Sequence, residues 1–268
     1  MNVVVTATAV WTPGGVWVNA PPLAAPAGGA LAVWPEAPAL AVVHTGARRP
    51  HRDATVLVQL AHALLSARTA TMSALPPPSP AQTDLLLGTA KASQAADMDF
   101  LRDLRERGSG FGSPSTFVYT LSTAAPAEVA IALGLRGSLA TLSAGSISGL
   151  TAVVRAVRHV SRGDSPACIT GGVELAAPGH QALTEQSAEV AALFLLESST
   201  PATEWPTLGD TELGFEPRAF ASDAGPPDSA TSTLLSLASA CSDRMGASPI
   251  DIAGHSQEGH WARLRVQW

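Results

Sequence analysis

Only two cysteines, Cys168 and Cys241, occur in the chain. They share no C-x-x-C spacing and can form no disulfide framework, so the expected compartment is a reducing cytoplasm. Cys168 lies in the apolar run "PACITGGVE" and reads as a small buried hydrophobe. Charge is scarce too, at 14% of residues with a net −6. No cluster of Lys and Arg exists, which excludes a nucleic-acid footprint. The densest charged stretch, "FLRDLRERGSG", alternates in sign and reads as a solvated helix face. No apolar run approaches the roughly 18 residues of a membrane span. The opening "MNVVVTATAVWTPGG" lacks a basic n-region and a cleavable h-region, and reads as a strand and turn. Metal-ligand spacing is missing as well, because His255 and His260 have no third ligand at suitable spacing. No cofactor motif is present.

What remains is a chain of 268 residues, 46% hydrophobic, with mean hydropathy +0.19. That length supports a sizeable core. "NVVVTATAVW" alternates as a strand. Residues 19–40, rich in Pro, Ala and Gly, read as irregular, and "ALAVVHTG" as a short extended segment. Val56, Leu57, Leu60, Ala61 and Leu64 recur at the spacing of a buried helix face. "DLLLGTA" predicts a strand, residues 93–107 a helix, and "STAAPAEVAIALGL" a helix reaching Gly134. "SLATLS", "ACITGGVEL" and the continuously apolar "EVAALFLLES" predict further strands, with a helix "SGLTAVVRAVRHVSRG" between the first two. Past Ser198 the texture turns loop-rich, apart from a helix at "SATSTLLSLASACSDR" and a terminal strand "HWARLRVQW". Strands alternating with helices predict a layered α/β sheet. No internal repeat occurs at a fixed period.

The informative bend is "LATLSAGSISG". A strand ends in small residues and a helix follows at once, presenting Ser146. "GSISG" is not the G-x-S-x-G elbow of hydrolases, because its central residue is Ile147. A serine nucleophile also needs a base, and no histidine stands in a suggestive context. His159 is expected to be structural or exposed on its helix.

From Phe111 to Glu174 the order of landmarks resembles the β-ketoacyl synthases of the thiolase fold. "FGSPSTF" is followed by the small-residue helix, Gly137-Ser138, the elbow Ser143-Ala144-Gly145-Ser146, Ser148-Gly149, and Gly171-Gly172-Val173-Glu174. The resemblance implies an α/β thiolase-like layered fold: a single, N-terminal-type half of a ketosynthase with a mixed sheet and helices on its faces. It implies one domain over 1–268, truncated relative to full ketosynthases. Ser146 then stands where the family carries its nucleophilic cysteine, and the histidines from the second half of the duplicated fold have no evident counterpart. Synthase-like proteins lacking the cysteine are chain-length factors, or ketosynthase β subunits, of type II polyketide and aryl-polyene systems. The resemblance therefore implies a non-catalytic subunit paired with a catalytic ketosynthase and, through it, an acyl carrier protein. Ser138, Leu139, Ala140, Thr141, Leu142 and Ser143 would form the dimer strand, and Phe117, Tyr119 and Leu121 would reach the acyl tunnel. Two alternatives stay open: a stand-alone acyl transferase or thioester hydrolase using Ser146, and a homodimeric scaffold or binding module.

Overall fold

The computed structural model describes residues 2–12, 15–19, 51–71, 76–90, 93–108, 112–175, 189–199, 206–215, 230–242, 248–256 and 259–267. Nearly all of the stretch 19–40, and the extended segment expected at 39–46, lie outside the described residues. In chain order the elements are β1 (Asn2–Thr12), β2 (Gly15–Asn19), α1 (Arg52–Thr71), a 3-10 turn (Pro80–Gln82), β3 (Thr83–Gly88), α2 (Gln94–Arg107), α3 (Pro114–Val118) and α4 (Ala124–Leu133). They continue with β4 (Leu139–Leu142), α5 (Ser148–Arg162), β5 (Ala167–Glu174), β6 (Val190–Ser199), β7 (Thr207–Phe215), α6 (Ala230–Ser242), β8 (Ile250–His255) and β9 (His260–Gln267).

The nine strands hydrogen-bond in the order β4-β3-β5-β6-β1-β7-β9-β8, with β2 paired to β1. β4, β3 and β5 run parallel, and β6 is antiparallel to both of its neighbours, β5 and β1. This mixed sheet with helices on its faces is the layered α/β fold expected from the sequence. The ladder between β1 and β7 is short, with the register pairs Val3↔Leu208 and Val4↔Thr207. The sheet there divides into a larger leaf (β4-β3-β5-β6-β1) and a smaller one (β7-β9-β8). The smaller leaf repeats the antiparallel order of the larger: β7-β9-β8 matches β1-β6-β5, and a helix precedes β8 as one precedes β5. The repeat is topological and leaves no period in the sequence.

Side-chain alternation on the larger leaf builds two cores. Leu85, Leu87, Ile169, Ala191, Leu193 and Leu195 face α1 and α4. Leu86, Cys168, Ala192, Phe194 and Leu196 face the opposite way, onto α5 and α6, which are covered in turn by Leu208, Ile252, Leu264 and Val266 of the smaller leaf. Strands buried on both faces need apolar residues at every position, which is why "VAALFLL" runs without alternation. The outer face of the smaller leaf is polar: Arg263 and Arg265 pair with Asp251, and Arg265 also with Asp210. These guanidiniums, Arg265 foremost, hold the Asp251 carboxyl well below the usual carboxylate range. One-sided burial makes β7 and β8 hard to read. β7 is further interrupted by a bulge at Gly209–Glu212, where Asp210 takes φ 44°. Together with β2 they are the strands the sequence did not announce.

α5 is the central element, buried at ten of its fifteen residues. It starts directly on two strands because glycine stands beneath it. A Cβ on Gly88 would fall 2.0 Å from the Ser148 carbonyl oxygen, and one on Gly172 would fall 3.0 Å from Gly149 Cα. It ends at Gly163, whose φ of 80° lets the Gly163 N–H close the last turn. A buried ion pair ties α1 to β6: Arg68 reaches both Glu197 carboxylate oxygens at 3.0 and 3.2 Å, and the Thr6 hydroxyl donates to the same carboxylate.

The helix–strand contact is testable. Gly88→Ala should cost about 3 kcal/mol, a Tm fall of roughly 6–12 °C, because the obstacle is backbone and cannot rotate away. Gly209→Ala, with nothing within 4 Å of the new methyl, should leave Tm unchanged by differential scanning calorimetry.

Candidate functional site

The elbow joining β4 to α5 is held by one side chain. Ser148 Oγ accepts from the Ala144 N–H at 2.9 Å and donates to the Gly145 carbonyl at 2.6 Å. The Ser148 N–H meets the same carbonyl at 3.1 Å. Gly145 supplies the left-handed bend at φ 58°. Ile147 plugs inward, fully buried, against Gly254 of β8, where a Cβ would come within 2.8 Å of it. The second leaf thus covers the bend.

Ser146 is half-buried at the tip, and its hydroxyl donates to the His255 backbone carbonyl at 3.3 Å. Among the described residues no imidazole or carboxylate hydrogen-bonds to it. A carbonyl oxygen orients a hydroxyl but does not take its proton at neutral pH, so this contact orients the serine and does not activate it. The other described histidines stand away from that hydroxyl. His51 lies 3.7 Å from Asp53 and 3.8 Å from Asp99, and its ring sits 5.9 Å from that of Tyr119. His62 is exposed on α1. His159, expected to be structural or exposed, is half-buried with its Nδ1 3.1 Å from Asp84 Oδ2, while Asp84 Oδ1 accepts the Ser138 N–H at 2.7 Å. His44 and His180 lie outside the described residues. No group of three metal-capable side chains occurs among the described residues, and no described helix is long and apolar enough to cross a membrane.

Three residues singled out for a tunnel separate in space. The Tyr119 hydroxyl donates to Glu128 at 2.9 Å and is turned onto α4. Phe117 is 53% exposed, tilted against Phe100 at 5.4 Å, and Leu121 is 57% exposed. The Thr141 hydroxyl reaches the Ser122 carbonyl at 3.5 Å, which places this segment alongside β4. β4 itself is the end strand of the sheet. The carbonyls of Ser138, just before it, and of Leu142 accept from the N–H groups of Leu85 in β3 and of Thr89 just beyond β3. In a parallel strand each residue points both backbone groups to one side, so Leu139 and Thr141 present theirs to the open edge. A groove of about 530 Å³ runs beside that edge, between β4, α5 and Leu213 of β7. A second, of about 320 Å³, adjoins it near Ala144, Thr151 and Trp261. Ser146 lines neither. The arginines along the first groove were passed over at the sequence level, although "RAVRHVSR" carries a polar stripe at helical spacing.

The β-ketoacyl synthase N-terminal domain family matches residues 47–192, 146 of the 268 residues. The chain belongs to the β-ketoacyl synthase family. Ser146 accordingly occupies the elbow of a ketosynthase fold. Among solved structures, "The ishigamide ketosynthase/chain length factor" superposes at TM-score 0.67 with 14% identity, over 100% of this chain and 99% of that one. AntDE:AntF, a type II PKS acyl-carrier protein in complex with its ketosynthase bound to the hexaketide, gives TM-score 0.73 and 13% identity over 99% of each chain. The ketosynthase ApeO in complex with its chain length factor ApeC, from Xenorhabdus doucetiae, gives 0.53 and 12% over 82% of each. No curated protein matches the chain.

Thiol chemistry has little room in this member. Burial pushes the Cys241 thiol up to about 12 and Cys168 further still. At pH 8 neither should react with a chromogenic disulfide in the folded protein, and both should react after unfolding in denaturant.

Proposed function

We propose that the chain is a chain-length-factor-like subunit that pairs with a catalytic β-ketoacyl synthase through β4, stabilises it and helps shape its acyl tunnel. The observation that carries this reading is the open β4 edge. It ends a sheet whose other parallel strands are buried on both faces, and it offers two unpaired backbone positions flanked by exposed Leu139, Phe117, Val118 and Leu121. A flat edge bordered by apolar side chains is a template for strand addition. Two of the ketosynthase structures that the fold resembles are named for a chain length factor, which supports pairing of this kind. The acyl carrier protein would meet this subunit only through the complex.

Ser146 fits a non-catalytic role because its hydroxyl is engaged by a carbonyl and no base meets it among the described residues. Phe117 and Leu121 are the tunnel candidates a partner can cover, whereas Tyr119 is held by Glu128 and positions the segment. A growing acyl chain is apolar, and side chains shared across an interface would give it a dry wall worth about 0.8 kcal/mol per buried CH₂.

Two measurements test the reading. Thr141→Pro removes an outward N–H from β4 without touching the β3 ladder, so it should abolish co-purification with the ketosynthase while circular dichroism stays that of the parent. Normal co-purification would place the interface elsewhere. Ser146→Ala should leave condensation by the reconstituted pair within a few-fold of the parent; a loss of about 100-fold with assembly intact is the scale of a catalytic group and would make Ser146 one.

A further inference from the structure

Four side chains of α5 form its solvent-facing stripe: Arg155, Arg158, His159 and Arg162, at i, i+3, i+4 and i+7. They line the groove beside β4, over an apolar floor of Ala140, Leu142 and Leu213. Two of them are occupied. Arg158 donates to the Thr211 hydroxyl at 3.2 Å and to its carbonyl at 2.9 Å, using the oxygen that the β7 bulge leaves outside the ladder. His159 meets Asp84. Arg155 and Arg162 make no hydrogen bond or ion pair with any described residue. The arginines on the outer face of β9 behave differently, each closed off by Asp251. In a chain of net charge −6, this stripe is a local excess of positive charge next to the open edge.

Geometry turns that excess into a selection rule. Two identical strands pairing antiparallel are related by a two-fold axis perpendicular to their sheet, so a second copy adding at β4 would carry its own α5 on the same face. α5 packs on β3 and β5. With strands about 4.8 Å apart, the two α5 axes would then stand roughly 20 Å from one another, a gap that arginine side chains from both sides fill. The two-fold also runs the helices antiparallel, so the arginines of one stripe face those of the other. Like charges brought together in a closing interface disfavour that partner, and opposite charges favour the alternative.

We infer that the α5 stripe is a charge-selective docking surface: it receives a ketosynthase partner that brings carboxylates to Arg155 and Arg162, and it excludes a second copy of this chain. The inference rests on β4 being the pairing edge, and it separates a heterodimeric subunit from a homodimeric scaffold. A charge reversal tests it without the ketosynthase. Arg155→Glu/Arg162→Glu reverses the stripe, so a reversed chain and a parent chain would meet along the same edge with opposite charges. Sedimentation velocity in about 50 mM and about 500 mM NaCl compares an equimolar mixture of the two full chains with each chain alone. The mixture should associate at least about tenfold more tightly than either chain alone at low salt, lose this at high salt, and lose it when both chains carry Thr141→Pro. A mixture of the parent with Arg155→Gln/Arg162→Gln, in which charge is removed without being reversed, should fall between these. Equal association of the mixture and of each chain alone, or a gain that survives Thr141→Pro, overturns the inference. So does a parent that already dimerises through β4, although that result leaves β4 as the pairing edge. Co-purification of the Thr141→Pro variant with the ketosynthase is a separate readout, and normal co-purification there would strike the functional reading itself.

Discussion

The structure depends on how closely α5 lies between its two leaves. A helix sandwiched by sheets must be apolar over most of its circumference, and its first turn must reach the strands without side chains in the way. Gly88, Gly172 and Gly149 clear that space, with Leu234 of α6 filling what is left. Once α5 is seated, the elbow before it has little freedom. Ser148 ties the turn to Ala144 and Gly145, Ile147 is buried under β8, and Ser146 is left at the tip against the His255 carbonyl. The geometry that displays an elbow residue is therefore retained by packing, whatever chemistry that residue performs.

The same sandwich decides where polar groups go. Inside, buried polar groups are paired across elements: Arg68 with Glu197, Asp84 with His159 and the Ser138 N–H, and Glu189 with the exposed Arg52 at 2.6 Å. Asp84 is only 5% exposed and fastens the start of β3 to both β4 and α5. Outside, the smaller leaf is closed by a lattice of Arg and Asp on β8 and β9. Between these regimes lies the one side of α5 that neither leaf covers, and it faces the same way as the unpaired β4 edge. An edge that can accept a strand and a neighbouring stripe that sets the charge of what may approach form one surface. The apolar residues near it, Phe117 and Leu121, lie on the far side of β4 from that stripe's helix, along the α3–α4 segment, so a partner strand would be flanked by different chemistry on its two sides.

Much of this was legible in the order of residues. Continuous apolar runs at "DLLLG", "ACITGGVE" and "VAALFLL" marked strands buried twice, and Gly134 and Gly163 marked helix ends, because burial and left-handed caps restrict residue type strongly and locally. The landmarks from Phe111 to Glu174 placed Ser146 at a bend. Tertiary structure alone settled the rest. β7 and β8 are solvated on one face, and β7 carries a Gly-Asp bulge, so their local signal is that of a turn; only pairing with β9 makes them strands. Tyr119 and Phe117 are two residues apart in a helical turn, yet one is drawn inward by Glu128 and the other left outside, a choice made by residues that α4 brings near. The stripe at 155, 158, 159 and 162 was visible as a polar face. That it borders an open sheet edge depends on strand order, which is a property of long-range hydrogen bonding and not of any local sequence.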